Sequence, residues 1–380
     1  MISRKKRENN HRVRRMAQSA QGRHIIIRGK QLLNFSSNDY LGYAGDERLA
    51  RSARFAASRF GTGAGASPLV SGWLPPVRAL EKEICSWQGC EASLVFSSGF
   101  AANVGLITSL VRPEDGIFSD SLNHASIIDG CRLSRATVHV YRHCDLEHLE
   151  EQLRFFSRHY PRRFIVSDSV FSMDGDWANV SGLVNLAKKY DAYVILDEAH
   201  ATGIYGPNGQ GLAANLADEP GLSRLFKVGT LSKAIGSQGG FIAGPKLLIE
   251  LLVNQSRPYL FSTGIAPSSA AAARTAIQLI TQEPERRLKL LDISKHLSAQ
   301  LSVLGFSQPK DVSPIIPIIL GDSLKTLEIS QKLHDLGCLV PAIRPPSVPP
   351  DGSRLRISLR FDHHYEDADY LAKALQDVLS

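Results

Sequence analysis

Val194-Ile195-Leu196-Asp197-Glu198-Ala199-His200 decides how this chain folds. Val194 to Leu196 is a short apolar run rich in β-branched residues, which predicts a buried strand. It ends in an acid, and a histidine follows three positions later. A second apolar run, Leu225 to Val228, leads into Thr230-Leu231-Ser232-Lys233. In an open parallel sheet, ligands sit beyond the carboxyl ends of the strands. An acid, a histidine and a lysine are thus delivered to one edge.

Working outward, strands and helices alternate on both sides. Upstream lie the strands Ser93 to Phe96, Ile117 to Asp120, Val138 to Tyr141 and Phe164 to Val166. Between them, Leu146, Leu149, Leu153 and Phe156 repeat at helical spacing, and residues 181–190 form a helix. Further back, residues 47–60 are helical. Pro75 and Pro76 open a helix whose apolar face is Val77, Leu80, Ile84 and Trp87. Downstream come the strand Phe241 to Ala243 and an Ala-rich helix opened near Pro267. This alternation predicts an α/β domain over residues 45–280, doubly wound around a mostly parallel sheet. Residues 281–380 change texture and predict a smaller α+β domain. Its elements are a helix (287–304), the Pro-broken strand Ile315 to Leu320 and a helix faced by Ile329, Leu333 and Leu336 and stopped at Gly337. Val340 to Arg344, the strand Leu355 to Leu359 and a closing helix lined by Ala368, Leu371, Leu375 and Val378 follow. Residues 1–44 form a basic arm and a hairpin turning at Arg28-Gly29-Lys30.

Composition narrows the function classes. At 43% hydrophobic and 21% charged, the 380-residue chain has a soluble composition. No apolar run approaches the roughly 20 residues of a membrane span, and no signal-peptide core opens the chain, so a cytoplasmic protein is expected. Cys85, Cys90, Cys131, Cys144 and Cys338 follow no zinc spacing and are expected as reduced thiols, with no metal bound. The net charge of +7 is concentrated in Arg4, Lys5, Lys6, Arg7, Arg12, Arg14 and Arg15, set against Glu8. Such a run suits a solvated arm, a polyanionic cosubstrate or nucleic acid. The chemistry elsewhere favours the first two, so neither nucleic acid nor membrane is expected as partner.

Asp197-Glu198-Ala199-His200 also spells a helicase box, but that chemistry needs Gly-x-x-x-x-Gly-Lys-Ser/Thr upstream. The run Gly61-Thr62-Gly63-Ala64-Gly65-Ala66-Ser67 carries no lysine. It suits either a flexible turn or backbone brought close to a ligand. A metal held by Asp197, His200 and His124 leaves Lys233 unexplained. Pyridoxal phosphate (PLP) explains all of them. Asp197 pairs with the ring nitrogen and Lys233 forms the Schiff base. His200 lies near the ring hydroxyl and His124, past the strand Ile117 to Asp120, stacks on the ring. Small residues at the strand-to-helix junction, Ser98-Gly99-Phe100, make a phosphate cup with Thr230.

The motifs Asn34 to Gly42 (NFSSNDYLG), Ser98 to Asn103 (SGFAAN), Asn123-His124-Ala125-Ser126, Phe171 to Asp176 (FSMDGD), Asp197 to His200, Thr230 to Lys233 and Ala342 to Pro349 (AIRPPSVP) stand in order along the chain. Together they resemble the α-oxoamine synthases, fold-type I PLP enzymes that join an amino acid to an acyl thioester and lose CO2. The resemblance runs from about residue 12 to the end. It implies that Lys233, His124 and Asp197 are catalytic. It implies cofactor contacts from Gly99, Phe100, His124, Ser172, Asp197, His200, Thr230 and Lys233, with Thr263 reaching the phosphate of a neighbouring subunit. It implies substrate contacts from Arg12, Asn38, His124, Ser347 and Arg356, the last on the amino-acid carboxylate. A homodimer with shared sites is implied too. Within the family, the branch that condenses L-alanine with a pimeloyl thioester, on CoA or on an acyl-carrier protein, is most similar. Sister branches take glycine or serine. Arg78 stands near a position where relatives often have histidine, and Ser347 where they often have threonine.

Overall fold

The computed structural model describes residues 12–216 and 222–379. Arg4, Lys5, Lys6, Arg7 and Glu8 of the basic run lie outside them. The chain divides into two compact units. The larger comprises Asp46–Phe171 and Trp177–Pro284. The smaller combines the described residues up to Gly45, the short segment Ser172–Asp176, and the described residues from Glu285 onward. In chain order the strands are β1 (His24–Ile27), β2 (Lys30–Asn34), β3 (Ala92–Phe96), β4 (Gly116–Asp120), β5 (Thr137–Tyr141), β6 (Arg163–Asp168), β7 (Tyr193–Asp197), β8 (Leu225–Thr230), β9 (Gly240–Gly244), β10 (Ile315–Gly321), β11 (Cys338–Leu339), β12 (Ala342–Ile343) and β13 (Ser353–Ser358).

The larger unit is built on a seven-stranded sheet of order β3-β9-β8-β7-β6-β4-β5. Neighbours from β5 to β8 pair in parallel, so the expected doubly wound α/β architecture is present. β9 runs against both its neighbours. The connection from Thr230 to Gly240 is too short for the dozen or more residues that a parallel crossover needs. The central strands are buried on both faces, which is why Val194-Ile195-Leu196 reads as an unbroken apolar run. Successive residues point to opposite faces. Phe164, Val166, Ile195, Val228 and Ile242 pack with Ala102, Leu106 and Ile107 of the helix Gly99–Leu110 and with Ile127 and Cys131 of the helix Ala125–Ser134. Leu149, Leu153, Leu183 and Val184 are buried in the helices Leu146–Phe156 and Val180–Lys189, which pack on β4, β5 and β7. Each such side chain contributes roughly 1.5–3 kcal/mol by leaving water. This packing pins the helix N-termini at the carboxyl edge of the sheet.

The expected helix 47–60 is Glu47–Phe60, capped by the Asp46 carboxylate on the Arg48 N–H and ended by Gly61 at φ 84°. In the helix Pro75–Gln88 the expected face is buried, and Glu81 is buried with it. In the smaller unit, β1 and β2 form the expected hairpin. Ile27 pairs with Lys30, and Arg28 and Gly29 both take positive φ, the signature of a two-residue type I′ turn. β11 adds to β2 in parallel, Cys338 opposite Leu33. A second sheet runs β10-β13-β12, with Ile316, Ile318, Leu355 and Ile357 buried. Of Val340 to Arg344 the strand covers Ala342–Ile343 alone. In the closing helix Tyr365–Leu379, Ala368, Leu371 and Leu375 are buried. Among the described residues no helix is long and apolar enough to cross a membrane.

Candidate active site

The sheet of the larger unit has its switch point between β4 and β6. From β4 the chain leaves outward to β5, then returns to the other side through β6 and β7. Crevices of that kind hold ligands in open α/β sheets. His124 follows β4, Asp168 ends β6, and Asp197 ends β7 directly opposite Asp168.

Asp197 is buried. Its Oδ2 accepts from Asn103 Nδ2 at 2.6 Å, and its Oδ1 from the Ala199 N–H at 2.8 Å. The same Asn103 amide donates to Ser126 Oγ at 2.9 Å, and Ser126 Oγ lies 2.7 Å from His124 Nδ1. His124 also caps the helix Ala125–Ser134, its Nδ1 accepting from the Ser126 N–H. The His124 residue is open to solvent overall. Its ring is nonetheless partly desolvated, which lowers the imidazole pKa; Asp197 opposes the shift and Lys233 adds to it. The Asp168 Oδ2 accepts from the His124 N–H at 2.7 Å. Burial, then the facing Asp197, push the Asp168 carboxyl well above the usual carboxylate range. Lys233 is half-buried in the β8–β9 connection, and its charge acts on both His124 and Asp168. His200 is buried three residues beyond Asp197.

Beside this cluster β3 hands over to the helix Gly99–Leu110. Ser98 caps it, its hydroxyl accepting from the Ala101 N–H at 3.1 Å. The first amides of a helix lack intrahelical acceptors. Thr230 ends β8 next to them: a Cβ built on Gly99 would stand 3.4 Å from Thr230 Oγ1. Gly240 passes closer still, since a Cβ there would stand 2.5 Å from Gly99 N. Gly99, Phe100 and Thr230 therefore share one cup whose walls are backbone. Thr263 is exposed, and the N–H of the adjacent Gly264 donates to Ala66 O at 3.0 Å. The glycine-rich run at 61–67 thus lies along the segment that carries Thr263.

In the smaller unit, Arg356 of β13 is buried. Its Nη1 donates to Ser358 Oγ at 2.6 Å and Asn38 Oδ1 at 3.2 Å, its Nη2 to Tyr40 Oη at 3.4 Å, and its Nε to the Ser172 carbonyl. Arg354 pairs with Asp174. Gly175 takes φ 75°, and a Cβ there would stand 2.2 Å from Ile315 O, so this turn requires glycine. Arg12 Nη2 donates to Ser347 Oγ at 3.0 Å. Burial, then the charge of Arg12, lower the pKa of nearby Arg344. Ser172, Asn38 and Arg356 meet in this unit, as do Arg12 and Ser347. Lys233, Asp197, His124, Thr230, Gly99 and Phe100 lie along the sheet edge of the larger one.

Asn103, Ser126 and Asp168 were given no role by the sequence. Asn103 and Ser126 sit inside quoted motifs, four residues past Gly99 and two past His124. Asp168 repeats the signal that exposed Asp197, an acid closing an apolar strand.

The larger unit's residues suit PLP. A helix N-terminus and a hydroxyl offer donors to a dianion. A buried carboxylate whose described partners are neutral amides suits a cationic ring nitrogen. A parallel α/β sheet presenting these groups with a lysine at its carboxyl edge defines a fold-type I PLP enzyme. The model of the aminotransferase class I and II family matches residues 30–375. The chain belongs to that family, and within it to the α-oxoamine synthases. It is 45% identical to an 8-amino-7-oxononanoate synthase of Anaeromyxobacter sp. (strain K), over 95% of this chain and 89% of that relative. It is 43% identical to 8-amino-7-oxononanoate synthase 2 of Bacillus subtilis (strain 168), over 99% and 96% respectively. Among solved structures, a serine palmitoyltransferase from S. paucimobilis with bound PLP–myriocin aldimine matches with a TM-score of 0.91. It is 29% identical and covers 96% of this chain and 92% of that one.

Proposed function

We propose that this chain is a PLP-dependent acyltransferase that makes 8-amino-7-oxononanoate in biotin synthesis. It condenses L-alanine with a pimeloyl thioester and releases CO2 and the free thiol. The observation that supports this most is the convergence of Asp197, His124 and Lys233 at one sheet edge. The 42–46% identity to relatives of that name along nearly the whole chain directs the choice of substrate.

When bound, PLP supplies an aldehyde that captures the substrate amine and a ring that takes up the electron pair released at Cα. Asp197 holds the ring nitrogen in its charged form, fixed by Asn103 and Ala199. Gly99, Phe100 and Thr230 bind the phosphate, and Thr263 of a second copy joins them in a homodimer with shared sites. His200 and Ser172 contact the cofactor. Lys233 would hold the aldehyde, and its free amine would take the proton from Cα of alanine. Arg356 binds the alanine carboxylate with its planar fork, oriented by Asn38 and Ser358. Arg12 and Ser347 receive the thioester substrate. His124 would stack on the ring and face the substrate. The carrier thiol belongs to CoA or to an acyl-carrier protein, and the enzyme works in the cytoplasm.

The test is a matrix of thiol release: alanine, glycine and serine as donors against pimeloyl-, acetyl-, succinyl- and palmitoyl-CoA. Alanine with pimeloyl-CoA is expected to exceed every other pair in kcat/KM by about tenfold or more. Preference for glycine or serine with another acyl group would overturn the assignment.

A further inference from the structure

His124 sits where three elements meet. Asp197 faces it from the end of β7, Asp168 from the end of β6, and Lys233 from the β8–β9 connection. Ser126 touches it from its own helix, and Asn103 stands behind Ser126 on the helix Gly99–Leu110.

Asn103 places Nδ2 between the Asp197 carboxylate at 2.6 Å and Ser126 Oγ at 2.9 Å. The reverse orientation would aim its carbonyl at a carboxylate, so Nδ2 is the inward atom. Asn103 Oδ1 is buried with no hydrogen-bond partner among the described residues. The amide orientation is thus fixed by Asp197 and Ser126, not by its oxygen. Ser126 Oγ accepts from Asn103, which leaves its own proton for His124 Nδ1 at 2.7 Å. A second donor reaches the same atom: the Ser126 backbone N–H lies 3.3 Å from Nδ1 and caps the helix. A backbone N–H cannot accept, so a proton on Nδ1 would face another N–H at the positive end of a helix.

We infer that His124 works as a neutral imidazole with its proton on Nε2, and that Ser126 and Asn103 are positioning residues that hold this tautomer and tie it to Asp197. The inference rests on the function proposed above. His124 then offers substrate a hydrogen-bond donor, Nε2–H, suited to an oxygen acceptor such as a carboxylate or a thioester carbonyl. It does not act as a proton source. A neutral histidine held at a helix N-terminus is a known way to polarise a carbonyl without proton transfer. Asp197, reached from His124 through Ser126 and Asn103, stays an acceptor throughout. The two functional groups are thus orientated by one shared amide.

The experiment is nitrogen NMR of the PLP-loaded enzyme carrying isotope-labelled histidine, from about pH 5.5 to about pH 9, with the His124 signals assigned by their loss in His124→Gln. Expected are an unprotonated Nδ1 and a protonated Nε2 across the range. An Nδ1–H pattern, or conversion to imidazolium within the range, would overturn the inference. Ser126→Ala keeps the backbone donor and removes the hydroxyl. It should introduce an Nδ1–H population and lower kcat/KM by about tenfold, with Ser126→Thr restoring both. Unchanged His124 signals in Ser126→Ala would remove Ser126 from the role. The visible absorbance of lysine-bound PLP is read on the same samples. Its absence from the wild type counts against the proposed function, whereas its presence beside an Nδ1–H signal counts against the tautomer alone.

Discussion

Gly240→Ala should damage the proposed cofactor cup through a single methyl group. Gly240 opens β9 opposite Phe96, and its Cα passes over the first turn of the helix Gly99–Leu110. An added Cβ would stand 2.5 Å from Gly99 N, 2.6 Å from Gly99 Cα and 2.6 Å from the Ser98 carbonyl carbon. All three are main-chain atoms, so no side chain can swing aside. Reaching an ordinary contact near 3.4 Å means moving the helix start or the strand by about 0.9 Å. Overpacking of this kind costs about 1–3 kcal/mol. A shift of that size also displaces the amides proposed to bind the phosphate, and each 1.4 kcal/mol lost there is about tenfold in affinity. The expected result is a PLP-free protein less stable by about 1–3 kcal/mol in urea and a PLP Kd raised about 10- to 100-fold in an absorbance titration. Gly244→Ala, at the far end of the same strand, is the control. Its Cβ would meet only Leu248 Cδ2, at 3.2 Å, and that side chain can rotate, so the cost should stay below about 1 kcal/mol. Equal stability and equal PLP affinity in Gly240→Ala and Gly244→Ala would refute the reasoning.

Lys233→Ala should remove the visible absorbance of lysine-bound PLP and lower turnover by at least about a thousandfold; a variant that keeps the band acquires it from another amine. Arg356→Lys keeps the charge but loses the fork that reaches Asn38 and Ser358, so the KM for the amino acid should rise about tenfold or more at constant absorbance. An unchanged KM would place the carboxylate elsewhere. Burial pushes the Glu198 carboxyl from 4.5 up to about 7, and Glu198 Oε2 has no hydrogen-bond partner among the described residues. The folded chain then holds a proton that the unfolded chain has released. The contribution is full below pH 4.5, declines as pH rises to about 7, and stays lost above. Glu198→Gln should therefore gain stability over the wild type on moving from pH 5 to pH 8, by on the order of 3 kcal/mol in urea unfolding. An identical difference at both pH values would sink it.

Where a residue's role follows from period or punctuation, the sequence showed it. The apolar run before Asp197 marks a strand buried on both faces, and the spacing of Val77, Leu80, Ile84 and Trp87 marks a helix face. Arg28-Gly29 marks the hairpin turn. Where the role follows from what lies across a gap, the sequence was silent. β9 looks like any other strand, and its place between β3 and β8 shows only in the pairing. Asn103 occupies a helix position that its neighbours would suit equally well. Its importance comes from Asp197, ninety-four positions away in sequence and 2.6 Å away in space. Nothing in the sequence marked Glu81, which is buried with its carboxyl accepting from Trp73 Nε1 at 2.8 Å and from the Val95 N–H. The two positive φ values at Gly61 and Gly65 show the turn in the glycine-rich run, which its composition suggested. Its packing along residues 262–264 could not be read from composition.

The smaller unit is sewn from three separate lengths of chain. β2 comes near the start, Ser172–Asp176 from the middle, and β11 and β13 near the end. A ribosome delivers these pieces in that order, so the hairpin must wait for almost the entire polypeptide before Cys338 arrives beside Leu33. Pairings between such distant segments form late. Until then β2 presents an unsatisfied edge, the kind of surface on which nascent chains adhere to one another. Shortening the gene from its 3′ end should therefore harm solubility well before it trims any residue of the cofactor cup.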